Sequence, residues 1–415
     1  MKKINKTQVF TDNKTINLML DEVDYKDGLK IADISCGDGA FIKEIIKRTK
    51  TNFDKIYGFD IDDKVLNKKL NANIYKTKDS LTDNKIINGK FDIIIGNPPY
   101  LGYNECHKQK FPFFKKIKSK EIRLNNIFGI NFHSTPLNPK KYSPKPNLFS
   151  FFIALGLKAL KDKGILALLI PKTLLNSTDL DTLRYYLAKE VSILKIITFK
   201  QEIFKEKTSS MVIVIKKEKP ENNHKVLIED CLYDQEMLLN EHENWNIFLN
   251  NNYEIIKKYR NKTKDLSEYY THKTTQEFLF DKGMVFGKNI IIPQGSQGLK
   301  VFEKKYRIIW RYMNYDGFYF EQSNEVIGSN YCIISSDNYD ELLYLFHVLN
   351  SSLTNKIIDV LFKIEGEKDI LLGIKAIKKH IRVPLLLNDK QTIIKMIKNN
   401  EKKEEIDKLI SNILL

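Results

Sequence analysis

The sequence predicts an α/β fold, in which a mostly parallel sheet with helices on both faces is followed by a second, α+β domain. Short apolar runs alternate with helical patterns between residues 30 and 190, as in a parallel sheet with crossover helices. Three consecutive isoleucines in Phe91-Asp92-Ile93-Ile94-Ile95 are typical of a strand buried on both faces. A length of 415 residues favours two domains over one.

Seven strands are predicted in the first domain, at residues 30–34, 55–60, 73–75, 91–96, 164–170, 193–199 and 209–215. Helices are predicted over 16–23, with Thr11 or Asp12 as the cap, and over 42–46, 147–160 and 177–189. Too few residues separate the last two strands for a helix, so we expect them to form an antiparallel pair.

Composition limits the partners of the chain. A formal net charge of +16 and a pI near 9.3 favour a polyanion, nucleic acid first and a membrane surface second. A generally Lys-rich composition is the alternative explanation for this charge.

Four widely spaced cysteines predict neither a metal site nor a disulfide framework and fit the cytoplasm. The most apolar region, 148–171, is interrupted by charged residues, so no membrane span is expected.

The fourth strand ends in Gly96-Asn97-Pro98-Pro99-Tyr100, at the sheet edge where α/β folds bind ligands. The two prolines have carbonyls but no N–H groups, so Asn97 and its neighbours form a group of hydrogen-bond acceptors. Acceptors suit a substrate that presents an amino group, and Tyr100 can stack on a flat base. A simple strand-ending turn is the alternative.

A glycine loop follows the first strand, with Gly37 and Gly39 in Ser35-Cys36-Gly37-Asp38-Gly39. Strand, glycine loop and helix are typical of a nucleoside-binding crevice, although a structural turn is also possible. The third glycine of the dinucleotide fingerprint is missing, because position 42 is Ile, and this favours a cofactor without phosphates. Asp60 ends the second strand and Asp79 comes after the third, and they are candidates to bind ribose hydroxyls and an adenine amino group, respectively.

Residues 101–146 lose clear periodicity and contain a basic stretch with three phenylalanines. We interpret it as a loop that contacts a nucleic-acid backbone, with a solvated insertion as the alternative. A linker is expected to begin at 216–223. Further on, short strands are predicted at 289–292, 306–311, 316–320 and 330–335, helices over 342–353 and 353–362, and one helix over 391–415.

These motifs, in this order, resemble the gamma-class N6-adenine DNA methyltransferases of type II restriction–modification systems. The resemblance covers most of the chain and is clearest over residues 8–217. It implies a Rossmann-like seven-stranded methyltransferase sheet with the last strand antiparallel, a catalytic domain at 1–240 and a target-recognition domain at 241–415. It implies catalytic roles for Asn97, Pro98, Pro99, Tyr100 and Phe204. The implied cofactor-binding residues are Thr11, Asp33, Ser35, Cys36, Gly37, Gly39, Phe41, Asp60, Ile61, Asp79, Ser80, Asn97 and Pro99.

The resemblance implies methyl transfer from S-adenosylmethionine to an adenine extruded from double-stranded DNA, without a metal. The extruded base would lie between the rings of Tyr100 and Phe204. We further expect a monomer, and a restriction endonuclease, if there is one, on a separate polypeptide.

Three alternatives stay open at this point. A glutamine N5-methyltransferase shares Asn-Pro-Pro-Tyr but lacks a long carboxyl-terminal extension. The others are an RNA methyltransferase and a DNA-binding specificity protein with a decayed cofactor fold. Residues that read the DNA sequence are not evident; Gln294, Gln297, Arg307 and Arg311 are candidates for base, phosphate or merely surface positions.

Overall fold

A computed structural model describes residues 11–415 except 27, 50–52, 138, 140–142, 200–208, 274–277, 282–283, 288–289, 292–303, 322–330, 364–369 and 371. The chain divides into two units after Trp245, whereas the predicted boundary lay at residue 240. Trp245 belongs to the first unit because its indole is fully buried there and donates to the Leu238 carbonyl at 2.8 Å.

The first unit is built on one large sheet. Its strands are β1 (Ile31–Asp33), β2 (Ile56–Asp60), β3 (Asn73–Lys76), β4 (Phe91–Gly96), β5 (Leu160–Pro171), β6 (Ser192–Thr198), β7 (Ser210–Lys216), β8 (Lys225–Ile228) and β9 (Cys231–Asp234). Their order across the sheet is β3-β2-β1-β4-β5-β7-β6-β8-β9. Strands β1 to β5 run parallel, and β7 is antiparallel to both β5 and β6.

The predicted sheet of seven strands with a reversed last strand is thereby confirmed, and so is the antiparallel pairing of β6 with β7. Two strands that the sequence did not predict extend its edge. β8 pairs in parallel with β6, and β9 returns as a hairpin, so residues 225–234 continue the sheet after the expected linker. The Gln235 side chain fixes this extension, because its carbonyl accepts from Ile193 N at 2.8 Å and its amide donates to the Ala188 and Val191 carbonyls.

Helices cover the sheet. In the first unit they are α1 (Asn13–Asp21), α2 (Ala40–Arg48), α3 (Asn84–Ile87), α4 (Tyr103–Gln109), α5 (Pro112–Lys118), α6 (Leu148–Ala159), α7 (Asp181–Glu190) and α8 (Gln235–Asn240). Asp12, one of the two predicted caps, is the N-cap of α1, where its carboxylate accepts from Thr15 N at 3.0 Å. Buried residues of α1 and α2 pack with β1 and β4 in one core cluster, which stabilises the edge where the strands end.

Residues 101–146 contain two helices rather than an irregular loop. In α5, Pro112 occupies the first turn, where a missing N–H costs nothing. Phe113 and Phe114 are each only 1% exposed and pack edge-on against Phe151 of α6. The rings of Phe113 and Phe114 therefore belong to a buried aromatic cluster, and the contact of this segment with a nucleic-acid backbone stays a prediction.

The second unit contains strands and helices, as the sequence predicts, and its described strands pair in antiparallel fashion. Its strands lie at Thr263–Asp265, Tyr270–Lys273, Phe278–Asp281, Met284–Gly287, Ile290–Ile291, Tyr306–Arg311, Tyr319–Glu321, Tyr331–Ser336 and Arg382–Pro384. Its helices lie at Tyr253–Asn261, Tyr339–Leu349, Ser352–Phe362, Ile374–His380, Leu387–Lys398 and Lys403–Leu414. The last two correct the prediction of a single helix over 391–415, because Asn400 has a positive φ of 52° that interrupts it.

Candidate functional site

A cavity of about 530 Å³ opens at the carboxyl edge of β1, β2 and β4. The structure brings most of the predicted site residues together there. Its lining includes Thr11, Asp33, Ser35, Cys36, Gly37, Phe41, Asp60, Ile61, Asp79, Ser80, Asn97, Pro98, Pro99 and Tyr100. The volume is within the range of cofactor sites in proteins.

Asn97 lies immediately after β4, and its side chain is held in one orientation. Its amide nitrogen donates to the Thr11 hydroxyl at 3.0 Å, which directs the amide oxygen elsewhere. That oxygen is buried and accepts no hydrogen bond from any described residue. A buried acceptor without a donor costs about 1–3 kcal/mol, so it is a natural contact for a ligand that presents an N–H group.

The ring of Tyr100 lines the same cavity and is fixed from outside it. Its hydroxyl donates to the Leu169 carbonyl of β5 at 3.0 Å, and its ring meets Phe149 at 81° with 6.5 Å between centroids. Burial raises the pKa of this phenol above its ordinary value, so the side chain is neutral and cannot serve as a base near neutral pH.

Asp33, at the end of β1, is a buried carboxyl group at the floor of the cavity. It is 1% exposed, and its Oδ1 accepts from Ser35 N at 3.0 Å. Burial raises its pKa to about 8, the Ser35 N–H opposes this shift, and the nearby Asp60 carboxylate adds to it. Gly96 makes the position possible, because a Cβ at residue 96 would lie 2.5 Å from Asp33 Oδ1.

Asp60 connects the end of β2 to the glycine loop. One carboxylate oxygen accepts from Gly37 N and the other from Asp62 N, each at 2.9 Å. Gly37 has a φ of 54°, the left-handed conformation that glycine adopts without strain. Burial raises the pKa of Asp60, while these N–H groups act in the opposite direction. Beside it, Ile61 is 44% exposed and offers an apolar wall for a planar ring.

The Asp79 carboxylate accepts two backbone hydrogen bonds that the sequence did not predict. Its Oδ1 accepts from Leu81 N at 3.1 Å, and its Oδ2 accepts from Phe113 N of α5 at 2.9 Å. Each carboxylate oxygen has a second lone pair that remains available to a ligand. Ser80 donates from its hydroxyl to the Ile34 carbonyl at 2.9 Å, which joins this segment to the end of β1.

The ionisable groups that line the cavity include several carboxyl groups and no basic side chain among the described residues. The lining contains the carboxyl groups of Asp33, Asp38, Asp60, Asp62 and Asp79, and none of its described residues is Lys or Arg. Such a wall repels phosphates and attracts cations. S-adenosylmethionine carries a sulfonium, an ammonium and ribose hydroxyls but no phosphate, so the donors and acceptors of this cavity fit it. The Cys36 thiol is buried, and burial, followed by the nearby Asp33 carboxyl group, raises its pKa, so the thiol stays protonated near neutral pH.

One predicted site residue that the structure describes, Gly39, is absent from the cavity lining. Gly39 has a φ of 82° at the N-cap of α2 and does not line the cavity, so its observed role is to turn the backbone. Phe204 lies outside the described residues, and its stacking role stays a prediction.

Sequence reasoning missed several lining residues, namely Asp38, Ala40, Asp62, Leu81, Leu101, Gln109, Phe111, Phe114, Leu148 and Phe152. The sequence could have indicated Asp38 and Asp62 as lining residues, since each lies directly beside a predicted site residue. It could not have indicated Gln109, Phe111 and Phe114, because only the folding of α4 and α5 brings them to the cavity.

Of the four candidates for DNA recognition, two lie in described parts of the second unit. Arg307 is 3% exposed and donates to the Lys304 carbonyl at 3.0 Å, so it is neither a surface residue nor free to reach a base edge. Arg311 is exposed and pairs with Asp316 at 3.4 Å. Gln294 and Gln297 lie outside the described residues.

The strand order and the reversed β7 form a mostly parallel sheet like that of class I S-adenosylmethionine-dependent methyltransferases. Residues 4–204 match the Eco57I restriction-modification methylase family, which confirms the predicted resemblance to restriction–modification methyltransferases. Type II methyltransferases M.HincII and M.HindII, both from Haemophilus influenzae, are each 24% identical over 223 residues, or 53% of this chain. The match covers 39% and 38% of them, so the chain spans about two fifths of their length.

Among solved structures, a nuclease-deletion mutant of the Type ISP restriction–modification enzyme LlaGI, in complex with a DNA substrate mimic, aligns with a TM-score of 0.50. Its sequence identity is 16%, and the alignment covers 94% of this chain and 47% of that one. This similarity concerns the fold. Within the described residues, no helix combines the length and apolar character needed to cross a membrane.

Proposed function

We propose that this protein is a restriction–modification DNA methyltransferase that transfers a methyl group from S-adenosylmethionine to the N6 amino group of adenine. The restriction–modification methylase match over residues 4–204 supports DNA as the substrate. The acidic cavity without Lys or Arg in its described lining supports the cofactor. Adenine as the target rests on the chemistry of the residues that follow β4.

The observation that carries the proposal is the amide oxygen of Asn97, which is buried in the cavity and has no donor among the described residues. An amino group of a base provides such a donor. The nitrogen lone pair of adenine N6 is delocalised into the ring, so the amine is a poor nucleophile. Acceptors that hold its hydrogens out of the ring plane restore part of the lone pair to nitrogen.

When bound, S-adenosylmethionine supplies an electrophilic methyl group on sulfur, and the sulfur leaves with the bonding pair as a neutral thioether. The residues after β4 hold the amine. Asn97 Oδ1 accepts one N–H, and Thr11 keeps the Asn97 amide from rotating. Pro98 and Pro99 present carbonyls without competing N–H groups. The amine loses one proton to water as the N–C bond forms, so no side chain must act as a strong base.

Tyr100 provides a flat apolar wall for the extruded base. Extrusion costs a few kcal/mol, and stacking on an aromatic ring returns about 1–3 kcal/mol. Because the phenol is tied to Leu169, the ring is already oriented before a base arrives. Preorganisation of this kind reduces the entropy lost on binding.

The test replaces Asn97 with Ala and uses Asn67→Ala, an exposed asparagine outside the cavity lining, as the matched control. Tritium transfer from labelled S-adenosylmethionine is measured on unmethylated duplex DNA, RNA and a protein extract. We expect label in DNA as N6-methyladenine, a loss of roughly 100-fold or more in Asn97→Ala, and cofactor binding close to that of the unaltered protein. Label in protein or RNA alone would replace this proposal with one of the alternatives.

A further inference from the structure

We propose that the exposed cations of the α4–α5 segment form the surface that receives the phosphate backbone of duplex DNA beside the cavity. We call this the insertion surface. It consists of Lys108, Lys110, Lys115, Lys116, Lys118, Lys120 and Arg123. The inference rests on the proposed function and goes beyond it, because it assigns the DNA-backbone contact to particular residues of the catalytic unit.

The charge of this segment is uncompensated. Residues 101–130 contain these seven cations against two acids, Glu105 and Glu121, which gives a net charge of +5 without His107. All seven side chains are exposed, and none forms an ion pair with a described residue. Elsewhere in the unit lysines are often neutralised, as Lys161 is by Asp92 at 2.7 Å. Seven free cations within sixteen residues attract a polyanion and otherwise repel one another.

The surface has a rigid base. On α5 Phe113 and Phe114 are buried, whereas Lys115, Lys116 and Lys118 are exposed, so these cations occupy the part of the helix surface that does not pack against the core. The Phe113 N–H donates to Asp79 Oδ2 at 2.9 Å, which ties the start of α5 to the cofactor crevice. Lysines on such a support lose less conformational freedom on binding than lysines on a loose loop.

The surface also lies in the right place. Gln109, Phe111 and Phe114 line the cavity, and the exposed Lys108 and Lys110 flank Gln109 in sequence. The described lining of the cavity is acidic, whereas the segment that contributes Gln109, Phe111 and Phe114 to that lining is basic. A nucleotide whose base enters the cavity keeps its phosphates outside it. The insertion surface supplies cations on a segment that borders the cavity.

The charge pattern favours duplex DNA over a membrane. Membrane-binding basic segments combine cations with exposed aromatic or aliphatic side chains on the opposite face. Here that face is buried in the protein, because Phe113 and Phe114 are each 1% exposed. Cations alone, beside a cavity for a base, are what a phosphate backbone requires.

The test compares two triple variants of the full chain. The first is Lys115→Gln, Lys116→Gln and Lys118→Gln. The control is Lys158→Gln, Lys163→Gln and Lys219→Gln, which removes the same charge from exposed lysines at the opposite edge of the sheet, near the start of β5 and the end of β7. Binding to a mixed-sequence DNA duplex is measured over a range of salt concentrations, with thermal unfolding as the check on folding.

Each phosphate contact contributes about −0.9 to the slope of log K against log salt. We therefore expect the slope of log K against log salt to be smaller in magnitude by up to about 2.7 in the α5 variant. Its KM for DNA should rise, whereas its kcat and its cofactor binding should stay nearly unchanged. The control variant should differ little from the unaltered protein in all of these quantities. An unchanged slope in the α5 variant, or an equal loss in both variants, would overturn the inference. Binding of anionic lipid vesicles with no effect on DNA would do so as well. Failure of the proposed function is seen separately, as absence of methyl transfer to any DNA by the unaltered protein.

Discussion

Replacing Gly96 with Ala tests whether the end of β4 and Asp33 form one packed unit. The added Cβ would lie 2.5 Å from Asp33 Oδ1 and 2.9 Å from its Cγ, distances at which the carboxyl group must move. Asp33 is 1% exposed and accepts from Ser35 N, so its carboxyl group can move only by straining that hydrogen bond or by shifting into the cavity that it lines. Overpacking of this kind costs about 1–3 kcal/mol of folding free energy.

The same movement should weaken the cofactor site. If Asp33 contacts the ligand, loss of one charge-assisted hydrogen bond costs about 1.5 kcal/mol, which corresponds to roughly a tenfold higher Kd. Calorimetric titration with S-adenosylmethionine measures this change, and urea unfolding measures the loss of stability. The Kd for S-adenosylmethionine should rise and the folding stability should fall in the same variant, because displacement of the Asp33 carboxyl group causes both changes.

Gly102→Ala is the matched control. Gly102 precedes α4 with a φ of −65°, and a Cβ there would meet nothing within 4 Å. We expect its unfolding midpoint and Kd to stay close to those of the unaltered protein. If Gly96→Ala bound the cofactor as tightly as Gly102→Ala and were equally stable, the assignment of Asp33 to a tightly packed cofactor floor would be refuted.

Two further changes test the electrostatics and the aromatic wall. Burial raises the pKa of Asp33 to about 8, whereas the unfolded chain loses this proton near about pH 4, so some folding stability is lost as pH rises from about 4 to about 8. The ionised form attracts a cation, so the Kd for S-adenosylmethionine should fall between about pH 6 and about pH 9, and titrations of Asp33→Asn should show a flatter profile. Tyr100→Phe removes the bond to the Leu169 carbonyl, which costs about 0.5–1.5 kcal/mol of stability but keeps the ring. Its methyl transfer should stay within a few-fold, whereas Tyr100→Ala should lose roughly 5- to 150-fold; equal activity in both variants would exclude stacking.

The strands and the polar residues at their ends were predictable because their causes are local. An uninterrupted apolar run such as Ile93 to Ile95 is stable only when buried on both faces, and a following Pro-Pro must end the strand. The carboxyl ends of parallel strands then meet at one edge. That geometry alone brings Asp33, Asp60 and Asn97 to one cavity.

Residues 225–234 show where local patterns fail. β8 and β9 are four residues each and carry charged side chains at Lys225 and Asp234, so they look like a linker. They become strands because β6 leaves an open edge to which β8 hydrogen-bonds. Pairing with a distant strand cannot be read from the segment itself.

The sequence by itself determined the first seven strands of the sheet, the acceptors after β4 and the acids that end β1 and β2, since strand periodicity and turn chemistry act over a few residues. Tertiary structure decided the role of residues 101–130. Phe113 is buried only because Phe151 lies beside it, and Asp79 holds α5 only because the chain returns to the end of β3. These contacts join residues 34 or more positions apart, so they depend on the folded arrangement and not on any local pattern.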